Sequence, residues 1–362
     1  METAKLKDKN LGAFRTDLLT WFASNARDLP WRRTRDPYKI WVSEVMLQQT
    51  RVAVVIGRYT SFVDRFPSLV SLALANEEDV LAVWSGLGYY RRARLLHHAA
   101  RLLVREHDGT LPKSSVELRR LPGVGDYTAA AIASIAHGEA IAVVDGNVER
   151  VLIRLFGKGA GDRQPSASRL KLLATRLLDA TVPGAFNQAM MELGATICVP
   201  RAPLCSACPV QPYCRTCGEH LAQSRKQMLS EKAGYAVVRK PLEGSSSVVS
   251  VLLVQRTKDA ALMPGMWELP VVASPAAEWE PILRVRHSIT NTNYYVSVYD
   301  VQEEEASSLH VGAPFVWKSS RELGEIPLTG LARKILMRLG IFARPKEVRQ
   351  GKALPGAESV FL

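Results

Sequence analysis

The sequence predicts a multidomain protein, an all-α first domain followed by a smaller α+β domain. Three observations carry that expectation. With 362 residues, 47% of them hydrophobic, the chain can bury two cores. Up to residue 216 the apolar residues recur at helical spacing and strand signals are scarce. From about 247 the text changes to alternating runs rich in Val and Tyr. The expected divisions are a helical domain at 1–216, a linker at 217–246, a β-rich domain at 247–342 and a loose tail at 343–362.

FRTDLLTWFASNA sets Phe14, Leu18, Trp21 and Phe22 on one helical face before Pro30 ends the run. IWVSEVMLQQTRVAVVIGRYTSFVDRF repeats that spacing, and TAAAIASIAHG marks a buried helix. The text from 217 to 246 is polar and loses its period, as a linker does. SSVVSVLLVQRT, NYYVSVYDV and PFVWKSS then read as strands, and RELGEIPLTGLARKILMRLG as a closing helix. There is no internal repeat. No apolar run is long enough to span a bilayer, so a soluble protein is expected.

The formal net charge is +12. The first 216 residues hold 29 Lys and Arg against 20 Asp and Glu, so nine of the twelve units lie there. A polyanion suits that half, although a merely basic surface gives the same count.

Two stretches within it carry chemistry. LPGVGDYTAAAI, residues 121–132, opens a helix on a tight turn containing Gly123 and Gly125. Such a turn points backbone N–H groups outward where the helix dipole favours an anion, so a DNA phosphate can dock without base readout. A plain helix–helix turn uses the same residues. Twenty residues on, Asp145 stands behind an apolar run in VVDGNVERV, where a helix N-cap role is available alongside a functional one.

Residues 198–214, CVPRAPLCSACPVQPYC, hold Cys198, Cys205, Cys208 and Cys214, separated by six, two and five residues. Four thiolates in so short a stretch can converge on one centre. The start METAKLKDKN is charged and lacks the apolar core of a signal peptide, so a reducing cytoplasmic location is expected and disulfides are not. Structural zinc usually takes two Cys-x-x-Cys pairs and only one is present, which leaves zinc the rival of an iron–sulfur cluster. All-cysteine ligation from a proline-rich loop suits a cubane [4Fe-4S] cluster. Cys217 is expected to be an ordinary thiol.

Taken together, LPGVG, the Asp in VDGNV and the cysteine spacing resemble the endonuclease III, or helix-hairpin-helix, superfamily of DNA glycosylases. RDLPWR at 27–32, WVSEVMLQQTRV at 41–52 and GLGYY at 86–90 resemble, within it, the MutY-type adenine DNA glycosylases. The likeness runs through nearly all of residues 14–214. It implies a six-helix barrel and an iron–sulfur cluster domain, an active site in the groove between them, and a mostly structural cluster whose loop, with Arg201 and Arg215, touches DNA.

Removing adenine breaks a C–N bond to a poor leaving group while positive charge grows on the sugar. One protonated carboxyl and one ionised carboxylate suffice. The resemblance assigns Glu44 as the acid and Asp145 as the carboxylate at the sugar. The residue types agree: Trp41, Val45 and Leu47 surround Glu44 in sequence, which raises a carboxyl pKa, whereas Gly146 and Asn147 offer Asp145 N–H donors. Tyr127 stands where strand-cutting relatives hold a lysine, and it cannot form an imine. A monofunctional glycosylase is therefore expected.

A base inside a duplex must be swung out and its gap filled. The resemblance places Gln49 and Thr50 of QQT, with Tyr89, at the wedge, and Leu29, Trp31 and Gln188 around the adenine. Trp31 and Tyr89 also serve as ordinary core aromatics in many proteins. The domain at 247–342 resembles the family's Nudix-like C-terminal domain, which reads 8-oxoguanine opposite the adenine. Residues 271–290 lack the Glu-rich metal box of a Nudix hydrolase. Where the family commonly shows Phe-Ser-His on its reading loop, this chain has Ile289, Thr290 and Asn291. The implied partner is double-stranded DNA holding adenine opposite 8-oxoguanine, engaged by a monomer. A noncatalytic lesion sensor or a glycosylase of different base choice are the other readings.

Overall fold

The computed structural model describes residues 6, 8–157, 165–217, 228–242, 245–276, 279–309 and 315–342. The chain divides into two compact units, one covering 1–230 with 290–293 and the other 231–289 with 294–362.

The first unit is helical. Its helices are α1 (Leu11–Asn25), α2 (Pro37–Leu47), α3 (Val52–Arg65), α4 (Leu69–Leu74), α5 (Glu77–Trp84), α6 (Arg91–Glu106), α7 (Ser115–Leu118), α8 (Asp126–His137), α9 (Gly146–Phe156), α10 (Ala167–Leu177) and α11 (Pro183–Thr196). Helix α2 starts on firm chemistry: the Asp36 side chain accepts the Tyr38 N–H at 2.9 Å, and Pro37 fills the first helical position. Its inner face buries Tyr38 and the whole run Ile40–Met46, so α2 is surrounded on almost every side. The apolar period of residues 40–66 is not one helix, because the chain turns at Gln48–Arg51 with Gln49 at φ +56°. Helix α8 buries every residue from Thr128 to Ser134, as its small apolar text requires. Helices α1, α9, α10 and α11 share a core that includes Phe14, Leu18, Leu152, Phe186 and Leu193. Cys198, Cys208, Tyr213 and Cys214 pack against that core.

The second unit carries two four-stranded sheets. One has the order β5-β1-β7-β6, from β1 (Leu229–Val237), β5 (Val271–Val272), β6 (Leu283–Ile289) and β7 (Thr292–Asp300). The other has β2 (Arg239–Leu242), β3 (Ser245–Gln255) and β4 (Trp267–Glu268) in that order, with β8 (Phe315–Ser319) also pairing to β3. Helix α12 (Gly330–Arg338) packs Leu331, Ile335 and Leu336 into a core with Val251, Leu253 and Val298. The closing helix begins only at Gly330, where the Thr329 hydroxyl accepts the Ala332 N–H.

The expected linker at 217–246 requires correction. Residues 229–237 and 239–242 are strands, and residues 218–227 lie outside the described residues. Residues 229–232 of β1 are exposed and polar in part, so the alternation that marks a half-buried strand is missing there, and burial appears only toward Ala236 and Val237. The expected tail at 343–362 lies outside the described residues.

Candidate catalytic cleft

A cleft of ≈ 770 Å³ opens in the first unit, walled by residues from α2, α8, α9 and α11. Glu44 projects into it from α2 and is only 5% exposed. Tyr127, at the start of α8, donates its hydroxyl to Glu44 Oε2 at 2.6 Å. Burial, helped by the nearby Asp145 charge, outweighs that hydrogen bond and Arg32, and pushes the Glu44 carboxyl up to about 7. The same burial and the two carboxylates hold the Tyr127 phenol well above its ordinary range. Tyr127 therefore stays protonated and serves as a donor.

Asp145 is the N-cap of α9. Its Oδ1 accepts the Val148 N–H at 2.7 Å, and its Oδ2 accepts Asn147 Nδ2 at 2.9 Å. Arg150 steadies Asn147 by donating to its Oδ1 at 2.9 Å. The N-cap and the cleft position coexist, since an N-cap side chain fills only part of its acceptor capacity. One cleft thus contains a carboxyl whose burial raises its pKa to about 7 and a second carboxyl fixed by hydrogen bonds, held by different helices.

Leu29, Trp31, Gln49, Thr50, Gly125, Asn147 and Gln188 line the same cleft. Trp31 is 7% exposed and meets the Tyr59 ring edge-on, with centroids 5.4 Å apart. Tyr89 and Gly123 do not line it. Tyr89 is exposed with φ +47°, and its neighbour Tyr90 is buried. Gly123 has φ +78°, and a Cβ there would meet Leu95 Cβ at 2.7 Å, so the turn before α8 admits glycine alone. Thr290 and Asn291 form the turn between β6 and β7, with Thr290 at φ +53°, and are not among the residues lining the cleft.

Sequence reasoning missed the ion cluster at the cleft's wall. Glu192 of α11, its side chain fully buried, accepts from Arg27 Nη2 at 2.7 Å and from Arg32 Nη2 at 2.8 Å. Burial alone would raise its pKa, but the hydrogen bonds from Arg27 and Arg32 outweigh burial and hold it at about 2. Both arginines stand in the quoted RDLPWR motif, and Glu192 follows the apolar run of α11, a carboxylate in a place that demands a partner. Gly194 was also missed. A Cβ on it would meet Asn147 Cβ at 2.6 Å, so α11 crosses the start of α9 there at a distance only glycine permits.

Cys198, Cys205, Cys208 and Cys214 line one small cavity, of volume ≈ 30 Å³, with Arg154 and Ile197. Arg154 donates Nη1 to Cys198 Sγ at 3.2 Å and to the Val199 carbonyl at 2.8 Å, tying the loop to α9. Four thiol donors on one cavity beside a cation fit a group that takes several thiolates. Among the described residues, no group of three or more His, Cys, Asp or Glu is arranged to hold a metal ion. Cys217 is exposed and lines the edge of this cavity. A separate groove of volume ≈ 750 Å³ in the second unit, lined in part by Lys232, Arg284, Arg286 and Tyr295, contains no carboxylate and lacks the acid–base pair of the cleft.

Residues 42–175 match the HhH-GPD superfamily of base excision DNA repair proteins. The adenine DNA glycosylase of Mycolicibacterium smegmatis is 42% identical over 200 residues, 55% of this chain and 68% of that protein. The chain belongs to the adenine DNA glycosylases of the HhH-GPD superfamily. The human adenine DNA glycosylase is 41% identical over 326 residues, 74% of this chain and 58% of that protein. The chain thus spans about three fifths of the human relative's length. Among solved structures, a thermostable thymine-DNA glycosylase superposes with TM-score 0.53 at 31% identity, covering 57% of this chain and 96% of that one. An endonuclease III–DNA covalent intermediate superposes with TM-score 0.50 at 23% identity, covering 58% and 96%, a likeness of fold. Glu44, Tyr127 and Asp145 lie within the residues matched to the HhH-GPD superfamily; the four cysteines lie beyond them.

Proposed function

We propose that this HhH-GPD protein excises adenine from duplex DNA, acting on adenine opposite 8-oxoguanine as a monofunctional glycosylase. The observation that carries the reading is the pairing, in one cleft, of buried Glu44, poised at about 7, with Asp145, fixed by Val148 and Asn147. Neutral Glu44 donates a proton to a ring nitrogen of the departing base, which leaves without the charge that makes it a poor leaving group. Ionised Asp145 faces the cationic sugar, and water completes the hydrolysis. Tyr127 orients the Glu44 carboxyl and offers no amine for an imine. Leu29, Trp31 and Gln188 flank the extruded base, while Gln49, in the turn with Thr50, enters its gap and Tyr89 lies beside the partner base.

The four cysteines suit a [4Fe-4S] cluster, which supplies structural ligation of the loop between α11 and residue 217. We read the β-rich part of the chain as a Nudix-like domain, and the turn at Thr290 and Asn291 between β6 and β7 as the contact with 8-oxoguanine. The Thr290 hydroxyl is both donor and acceptor, which matches the N–H and carbonyl that distinguish the lesion from guanine. Incubation with an adenine:8-oxoguanine duplex followed by alkali tests the proposal. Strand breaks at the adenine, appearing only after alkali, support it; thymine release from a thymine:guanine duplex in place of adenine release overturns the base assignment.

A further inference from the structure

Arg92, on α6, is a half-buried cation whose Nη atoms donate to the protein's own groups, while its buried Nε finds no partner. Its Nη1 donates to the carbonyls of Val45 at 2.7 Å and Met46 at 3.2 Å, and also to that of Gln48. Its Nη2 donates to Thr50 Oγ1 at 3.1 Å and to the carbonyl of Gly88 at 3.3 Å. The guanidinium carbon lies 5.6 Å from the Trp84 ring centre and 5.3 Å from that of Tyr89. One side chain therefore touches three things: the open carbonyls at the C-terminus of α2, the turn carrying Gln49, and the turn carrying Tyr89. Both turn residues have left-handed backbones, Gln49 at φ +56° and Tyr89 at φ +47°. Non-glycine residues keep such conformations only where their surroundings enforce them.

We propose that Arg92 is a positioning residue that locks the Gln49 and Tyr89 turns to the C-terminus of the helix bearing Glu44, so that the wedge is already set when DNA arrives. The inference rests on the base-flipping reading above. Its chemistry needs the guanidinium fork. A lysine keeps the charge but presents one compact ammonium, which cannot serve carbonyls on both turns and stack on two rings. Because the group faces carbonyls and not phosphate, it contributes nothing to counterion release on binding.

The test uses Arg92→Lys and Arg92→Met in the full chain, with melting measured first. Base extrusion is followed by the fluorescence of 2-aminopurine placed at the adenine position, and excision by single-turnover rate. Strained backbone at two positions corresponds to roughly tenfold or more in the population of the set wedge. Both variants should lose flipping and excision by about that factor, while the slope of duplex affinity against salt and the pH midpoint of excision stay those of the wild type. A wild-type flipping signal in Arg92→Lys overturns the inference, and so does a shallower salt slope, which would mean a phosphate contact. Should Arg92 variants fail to fold, amide hydrogen exchange of the wild-type chain reads the same claim: slow exchange at residues 48–50 and 88–90 in the free protein, unchanged by duplex, supports the pre-set wedge, and fast exchange that slows only with duplex overturns it. A wild-type chain that extrudes 2-aminopurine but excises no adenine would sink the proposed activity and leave this test readable.

Discussion

Glu44 and Glu192 are two buried glutamates lining one cleft whose surroundings drive them in opposite directions. Glu44 has one neutral hydroxyl donor, and burial pushes it up to about 7; Glu192 has two guanidinium partners that overcome burial and hold it at about 2. The signs have consequences for stability. A raised carboxyl pKa gives a contribution that is complete below the unfolded value near 4.5 and is lost as pH rises through about 7. For Glu192 the order reverses: its contribution is present above about 4.5 and disappears as pH falls through about 2. Glu44→Gln should therefore abolish excision yet leave the protein more stable than wild type at pH 8, by on the order of 2 kcal/mol, with the gain shrinking toward pH 5. Chemical denaturation at the two pH values checks it; equal stability at both would contradict the burial of an acid. Asp145→Asn should also abolish excision with duplex binding retained, as filter or anisotropy binding alongside the rate assay will show.

At the scale of elements, the turn before α8 and the cysteine loop carry the sharpest demands. Gly123→Ala combines φ +78° with a 2.7 Å approach to Leu95 Cβ, a packed atom that cannot rotate aside. The variant should lose about 2 kcal/mol or more of stability in denaturant unfolding, whereas Gly125→Ala, with open space around its Cβ position and φ −90°, should lose far less. Purified protein should be brown with about four irons per chain if the four cysteines hold a cubane. Colourless protein with stoichiometric zinc would identify the rival occupant. The helices were legible because burial of one face imposes its period on the text, as Phe14 and Leu18 show in α1. Strand β1 was not, since its exposed start LSEK carries polar side chains that a linker would also carry. Strand β6 escaped for a related reason: Arg284, Arg286 and Ser288 alternate with Val285 and His287, and a basic strand of that kind has little hydrophobic contrast.

For the whole molecule, the net charge is concentrated before residue 217, in the part that folds as the helical unit bearing the cleft. The cleft itself was legible in pieces, because Glu44, Tyr127 and Asp145 each sit in a short motif whose residue types restrict what they can do. Their convergence, 83 residues apart for the Tyr127–Glu44 hydrogen bond, is a property of helix packing that no local pattern encodes. Glu192 and Gly194 make the same point, since each matters only through a neighbour from a distant helix. The pH dependence of single-turnover adenine excision from an adenine:8-oxoguanine duplex tests the central claim, that buried Glu44 acts in its neutral form. The rate should fall along a single alkaline limb with its midpoint near 7, the value that burial gives Glu44. A rate that is flat across pH 6 to 9, or that rises through that range, would contradict it.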